Sequence, residues 1–322
     1  MKENNSLKEI GLELERAGTI LLFTHQNVDG DAIGAASALC RVLRGLGKTC
    51  FILPDEELPE YLRFLDDGFC TQDESVVADP DVTMCVDCSE PGRFPTHVDK
   101  FYKGKVTICI DHHRTDEPFC QLNHIDPGAA ATSELIFALI KEMGWELDRA
   151  ESEAIFAGIT TDTGNFQYSN TTKKTHQIVC ELYDHGIDAS RVSTNLYECV
   201  KPERFRVRAK ILDTMEILAD GRLAIACATQ QMLKETGAVM SDTEGAVSDL
   251  RSIRGVAVAV MLKEGEDGKT FVSLRAKGDA DVLGIAQKLG GGGHTKAAGC
   301  TLNKSLQESY EEVKRAALEY LA

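Results

Sequence analysis

Residues 19–46 read Thr19-Ile-Leu-Leu-Phe-Thr24-His25-Gln-Asn-Val-Asp29-Gly-Asp31-Ala-Ile-Gly-Ala-Ala-Ser-Ala-Leu-Cys-Arg-Val-Leu-Arg-Gly-Leu46. An apolar run of strand length, a polar loop with one glycine, and apolar positions at helical spacing predict a buried strand, a turn and a helix from Asp31 to Leu46 stopped by Gly47. Thr49 to Leu53, Val82 to Val86 and Val106 to Ile110 are further apolar runs. Continuous apolar strands alternating with helical stretches specify a parallel, doubly wound α/β sheet with helices on both faces.

Outward from there, Leu7, Ile10, Leu14 and Ala17 recur at helical spacing before the first strand. Ala130 to Met143, Glu151 to Thr160 and Thr172 to His185 read as helices after the last one, with Gly144 and Gly186 as stops. A sheet domain is expected over 1–188, a helical linker over 189–218 and a smaller α/β domain over 219–322, near the ~100–200 residues usual for a domain. The linker's charged helix, Pro202 to Leu218, carries Phe205, Ile211, Leu212 and Met215 on its apolar side. In the last part, strands are expected at Leu223–Ala228, Val256–Leu262 and Thr270–Arg275, and helices near Thr243–Ile253, Val282–Leu289 and Ser305–Leu321.

The net charge is −16, and it is unevenly placed: residues 191–322 hold 19 basic against 18 acidic residues, residues 1–190 hold 16 against 33. Such a balance argues against coating long nucleic acid through many phosphate contacts but leaves a small anionic substrate open. No run of 18 apolar residues and no secretory h-region are present, so a cytoplasmic protein without membrane contact is expected. The 11 cysteines are scattered and several lie within apolar runs, which favours buried free thiols; Cys85-Val-Asp-Cys88 lacks the second pair of a zinc ribbon.

Three predicted strands end at a histidine or an aspartate: His25-Gln-Asn-Val-Asp29-Gly-Asp31 after the first, Asp87 after Val86, and Asp111-His112-His113 after Ile110. Ligands of open parallel sheets bind outside the carboxyl ends of the strands, so these segments should converge, with Asp162 of Thr160-Thr-Asp-Thr-Gly164 joining them from a small-residue turn. Taken singly, Asp31 could be a helix N-cap, Asp87 and Asp111 strand-end turn residues and Asp162 an Asx-turn. Together, so many carboxylates resist joint ionisation unless cations balance them. Mixed carboxylate and imidazole donors favour Mn²⁺, with Mg²⁺ as the alternative, and two ions ~3.5–4 Å apart are the arrangement of two-metal hydrolases.

His25-Gln-Asn-Val-Asp-Gly-Asp-Ala, Val86-Asp87, Asp111-His-His113 and Thr161-Asp162-Thr-Gly resemble the four motifs of the DHH phosphoesterase superfamily. Gly290-Gly-Gly-Gly-His294-Thr-Lys-Ala-Ala-Gly299 resembles the glycine-rich signature of its type-one DHH-associated domain. In size and layout the chain is most similar to the nanoRNase/pAp phosphatase (NrnA-type) branch. The resemblance implies His25, Asp29, Asp31, Asp87, His112 and Asp162 as ligands of two metal ions, with Asp87 bridging. His113 matches a residue that contacts the substrate phosphate, and Asp111 fits an orienting role. Val28, where proline is usual, would loosen the first loop, and Gln167 stands where a basic residue is common.

In the second domain, Gly291, Gly292 and Gly293 can bring backbone N–H groups to an anion, with His294 and Lys296 as further donors, although a four-glycine run is also compatible with a flexible loop. Arg275 matches the family's substrate-contacting arginine. Arg93 is a weaker candidate that is equally compatible with a surface position, and Lys173-Lys174 read as a solvated helix face. The resemblance thus implies phosphoester hydrolysis by a metal-activated water in an interdomain cleft. The substrates would be short oligoribonucleotides, 3′-phosphoadenosine 5′-phosphate (pAp), or linear or cyclic dinucleotides such as pApA and pGpG. A long-strand exonuclease would need a further domain, and a family II pyrophosphatase lacks the nucleotide clamp. A nucleotide sensor without catalysis is the rival from another class, and a homodimer is compatible with all of these readings.

Overall fold

The computed structural model describes residues 4–115 and 117–322. The chain divides into two compact units, Met1–Cys199 and Val200–Ala322.

The first unit is built on five parallel strands, β1 (Thr19–Thr24), β2 (Thr49–Pro54), β3 (Val82–Val86), β4 (Val106–Asp111) and β5 (Leu122–Ile125), in the order β2-β1-β3-β4-β5. Its helices are α1 (Leu7–Arg16), α2 (Gly30–Gly45), the one-turn α3 (Val98–Phe101), α4 (Thr132–Met143), α5 (Arg149–Asp162), α6 (Lys173–Asp184) and α7 (Ala189–Tyr197). Side chains alternate across a strand, so β1 feeds two cores. Ile20 and Leu22 pack with the long helices, whereas Leu21 and Phe23 pack with Phe94 and Phe101 beneath the opposite face. Helices α2 and α5 touch backbone to backbone. A Cβ on Gly34 would lie 2.5 Å from the Ala154 carbonyl, and one on Gly158 only 2.7 Å from an Asp31 carboxylate oxygen.

The second unit runs α8 (Pro202–Asp213), β6 (Glu216–Leu218), β7 (Leu223–Ala228), α9 (Gln230–Thr236), α10 (Ala246–Ser252), β8 (Val258–Glu264), β9 (Thr270–Ala276), α11 (Leu283–Lys288), β10 (Gly292–Gly293), β11 (Ala297–Leu302) and α12 (Leu306–Leu321). Its mixed sheet has the order β10-β11-β9-β8-β7-β6, with only β7 and β8 parallel. Helices α11 and α12 cover one face, while α8, α9 and α10 cover β7 and β8 on the other.

The structure bears on several of these expectations. The stretch 189–218 is divided: Val192 and Leu196 of α7 sit in the first unit's core, whereas Val207 and Ile211 of α8 sit in the second's. The helix from Pro202 ends at Asp213, where the Thr214 hydroxyl bonds the Ile211 carbonyl and accepts the Cys227 amide, and the chain turns into β6. Phe205 and Met215, expected on its apolar side, are 61% and 38% exposed. The cysteines are free thiols, with Cys40, Cys50, Cys85, Cys88, Cys109 and Cys120 buried. Among the described residues no helix is long and apolar enough to cross a membrane.

Candidate metal centre

Because β1, β3 and β4 are parallel neighbours, their carboxyl ends lie side by side, and the residues that follow them meet there. His25 and Asp87 are buried, with His25 Nε2 3.4 Å from Asp87 Oδ2 and 3.8 Å from Asp29 Oδ2. His112 Nε2 lies 3.0 Å from Asp162 Oδ2 and 3.6 Å from Asp87 Oδ1. Three overlapping groups have donor atoms close enough to share a cation: His25, Asp29 and Asp87; Asp31, His112 and Asp162; and Asp87, Asp111, His112 and His113. All six residues expected as metal ligands fall in the first two groups.

Local structure explains how each is aimed. Asp29 is the N-cap of α2, its carboxylate accepting the amides of Asp31 and Ala32, so the helix begins at Gly30. The loop before it is fixed by the Gln26 amide on the Arg93 carbonyl and by Val28, which is buried in the core and anchors the loop instead of loosening it. Asp162 is the last residue of α5, not part of a turn beyond it, and Asn170 ties that helix end to the Ala130 carbonyl. Asp87 holds a left-handed backbone, φ +60°, unusual for a residue with a side chain and of the kind that clusters at functional sites.

The start of α4 makes a contribution that no motif in the sequence announces. Asp31 accepts the amides of Thr132 (2.6 Å) and Ser133 (2.9 Å), and the Thr132 hydroxyl donates to Asp87 Oδ1 at 2.7 Å. The only sequence signal is a Thr-Ser pair at a helix start, which reads as an ordinary cap.

The electrostatics are those of a site that seeks positive charge. Burial and the neighbouring Asp87 push the Asp31 carboxyl up to about 7, and burial with Asp31 pushes Asp162 up to about 6. Burial disfavours the His112 imidazolium, yet Asp162, Asp87 and Asp31 outweigh it and push its pKa up to about 10. His25 moves upward too, held by Asp87 and Asp29 against burial and the charge of Arg93, which places that arginine within electrostatic reach of the site.

The donor set fits a divalent cation. His25 Nδ1 lies 2.8 Å from the Gln26 carbonyl and His112 Nδ1 3.3 Å from the Ala129 carbonyl, the hydrogen bonds that turn Nε2 toward a metal. Both Nε2 atoms are buried without a hydrogen-bond partner among the described residues, as is Asp111 Oδ2. Asp111 instead orients His113, accepting its amide and its Nδ1 through one oxygen. The Cys85-Val-Asp-Cys88 segment supplies thiols to none of these groups.

In the second unit, Arg275 on β9 is paired in register with Ala297 on β11, beside the glycine run. That run is not a loose loop: Gly292 and Gly293 form β10 against Ala298 and Gly299, and the chain returns at His294, whose amide bonds the Ala297 carbonyl. Cβ atoms on Gly291 or Gly293 would collide with the β11 backbone, whereas Gly292 faces open space. Lys296, expected as an anion donor, spends its ammonium on the carbonyls of Gly278 and Ala280. His294 is exposed, and so are Lys173 and Lys174.

Comparison with known proteins follows the same division. The family model for the DHH family N-terminal domain matches residues 19–160, and that for the DHHA1 domain matches residues 223–322. The bifunctional oligoribonuclease and PAP phosphatase NrnA of Thermus thermophilus is 35% identical over 306 residues, covering 94% of this chain and 90% of that protein. A crystal structure of an exopolyphosphatase-related protein from Bacteroides fragilis superposes with a TM-score of 0.92 at 27% identity, covering 98% of this chain and 96% of that one. RecJ of Thermus thermophilus in complex with Mn²⁺ shares the fold at a TM-score of 0.57 and 14% identity, over 98% of this chain and 54% of its own.

Proposed function

We propose, from the premise that this chain belongs to the DHH family of phosphoesterases, that it hydrolyses short oligoribonucleotides to mononucleotides and pAp to AMP. The observation that carries this reading is the pair of imidazole–carboxylate triads, His25–Asp29–Asp87 and Asp31–His112–Asp162, set side by side at adjacent strand ends. The similarity to NrnA supports the substrate class.

The two triads would hold two Mn²⁺, or Mg²⁺, with Asp87 between them. When bound, such ions supply the charge that activates a water and offsets the phosphoryl oxygens. The chain's own residues do the rest. Thr132 steadies Asp87 through its hydroxyl, and the α4 amides hold Asp31. Asp111 and Asp87 raise the proton affinity of His113 against its burial, which favours the imidazolium form whose Nε2–H can donate to a phosphate oxygen. Arg93 adds positive charge beside His25. In the second unit Arg275, Gly291, Gly292, Gly293 and His294 hold the remainder of the nucleotide, orientation being a large part of what such a clamp contributes.

The test is one assay on labelled RNA dimers to pentamers, pAp, pApA and pGpG, with Mn²⁺ and with chelator. Mn²⁺-dependent release of mononucleotide and AMP is expected. Turnover of the dinucleotides alone would make the chain a dinucleotide phosphodiesterase, and tight binding without turnover would make it a sensor.

A further inference from the structure

The second sheet is covered unevenly. On the face packed by α8, α9 and α10, the buried apolar side chains come from β7 and β8, and none comes from β9 or β11 among the described residues. Directly opposed residues of antiparallel strands share a face, so the registers identify what lies on the half that lends no apolar side chain to this packing. Its rows are Ala259–Arg275–Ala297, Met261–Ser273–Gly299–Gly292 and Lys263–Phe271–Thr301. The middle row is a floor of small residues beyond Met261, and a long cation stands in the row on either side of it.

Lys263 is the unexplained member. It is half-buried, and its ammonium makes no hydrogen bond or ion pair among the described residues. Burial lowers its proton affinity, Glu244 offsets this in part, and Arg275 lowers it further. Glu244 is exposed, with its carbonyl taken by Arg204, while the nearby Arg208 is bound to Asp249. A partly desolvated ammonium within electrostatic reach of a second cation is unfavourable unless an anion joins them.

We propose that Lys263 is a phosphate-contacting residue, which with Arg275 straddles the Ser273–Gly299–Gly292 floor and binds the phosphate of the nucleotide that is not being cleaved. This rests on the reading that the chain acts on nucleotides, and it adds a residue to that reading's clamp. Lys263 supplies a point charge and Arg275 a planar fork.

Kinetics of the full chain on pAp test it. Lys263→Met should raise KM about tenfold or more with kcat within twofold, and Lys263→Arg, which keeps the charge, should restore KM to within threefold. An unchanged KM in Lys263→Met, or equal loss in both variants with a lowered melting temperature, would overturn the assignment. If no nucleotide is turned over, calorimetric titration of pAp into the chain in chelator still reads the contact: a tenfold weaker Kd for Lys263→Met supports it. Equal Kd values, or no pAp binding by the unaltered chain, refute it.

Discussion

The two sheets treat charge in opposite ways. At the strand ends of the first unit, five aspartates (Asp29, Asp31, Asp87, Asp111, Asp162) crowd three histidines in a largely buried space, with several shifted proton affinities and donor atoms left without hydrogen bonds. On the β9–β11 half of the second sheet, charge is sparse, cationic and half-buried, over a floor of small side chains. Under the proposed function the contrast would correspond to two kinds of electrostatic work: ions gathered where water is scarce, and a mobile polyanion held where it can leave again.

The largest test of that contrast is Asp87→Asn. Asparagine tolerates the left-handed backbone and can still accept from Thr132, so the metal-free fold should melt no lower than the parent, since one of the crowded charges is gone. Hydrolysis should nevertheless fall by about three orders of magnitude or more, and Mn²⁺ should no longer raise the melting temperature. Activity surviving in this variant would break the reading of the first region. Next come two glycine substitutions read by thermal melts. Gly158→Ala drives a methyl group against Ser133 and Asp31, and about 2–3 kcal/mol of lost stability is expected together with lost activity. Gly284→Ala, in α11 with nothing within 4 Å, should be neutral or stabilising by about 0.5–1 kcal/mol.

The smallest effect separates acid crowding from metal chemistry. At the opposite end of α5, Glu151 is pushed up to about 7 by burial and by the N-cap Asp148. A carboxyl whose folded pKa is raised contributes stability below its ordinary value of about 4.5, and that contribution is lost as pH rises through about 7. Glu151→Gln should therefore leave the melt at pH 4.5 nearly unchanged and raise it by about 2–4 °C at pH 8.5, on the order of 1 kcal/mol once solvent screening is allowed for. A gain of the same size at both pH values would assign the effect to packing.

The strands and the gathered acids are legible in the sequence because both signals are local. Val82–Val86 followed by Asp87 is an apolar run meeting a charge, and parallel pairing does the gathering. What escapes the sequence is what depends on partners far along the chain. Thr132 looks like a cap because its bond to Asp87 joins residues 45 apart. β11 goes unseen because Ala297-Ala-Gly-Cys-Thr-Leu302 is poor in strand-forming side chains and is held in place by β9. Lys263 looks like a polar residue at a strand end, and only the register with β9 shows that it shares a face with Arg275, two rows away. Asp162 is misplaced because Thr-Thr-Asp-Thr-Gly reads as a breaker, whereas the threonine hydroxyls of Thr161 and Thr163 are satisfied by carbonyls one turn earlier inside a helix that runs to Asp162.

The double acceptance of the α4 amides by Asp31 has one more consequence. That carboxylate is held by main-chain groups and needs no cation to stay in place, so exchanging one divalent ion for another should alter reactivity without remodelling the polypeptide around it.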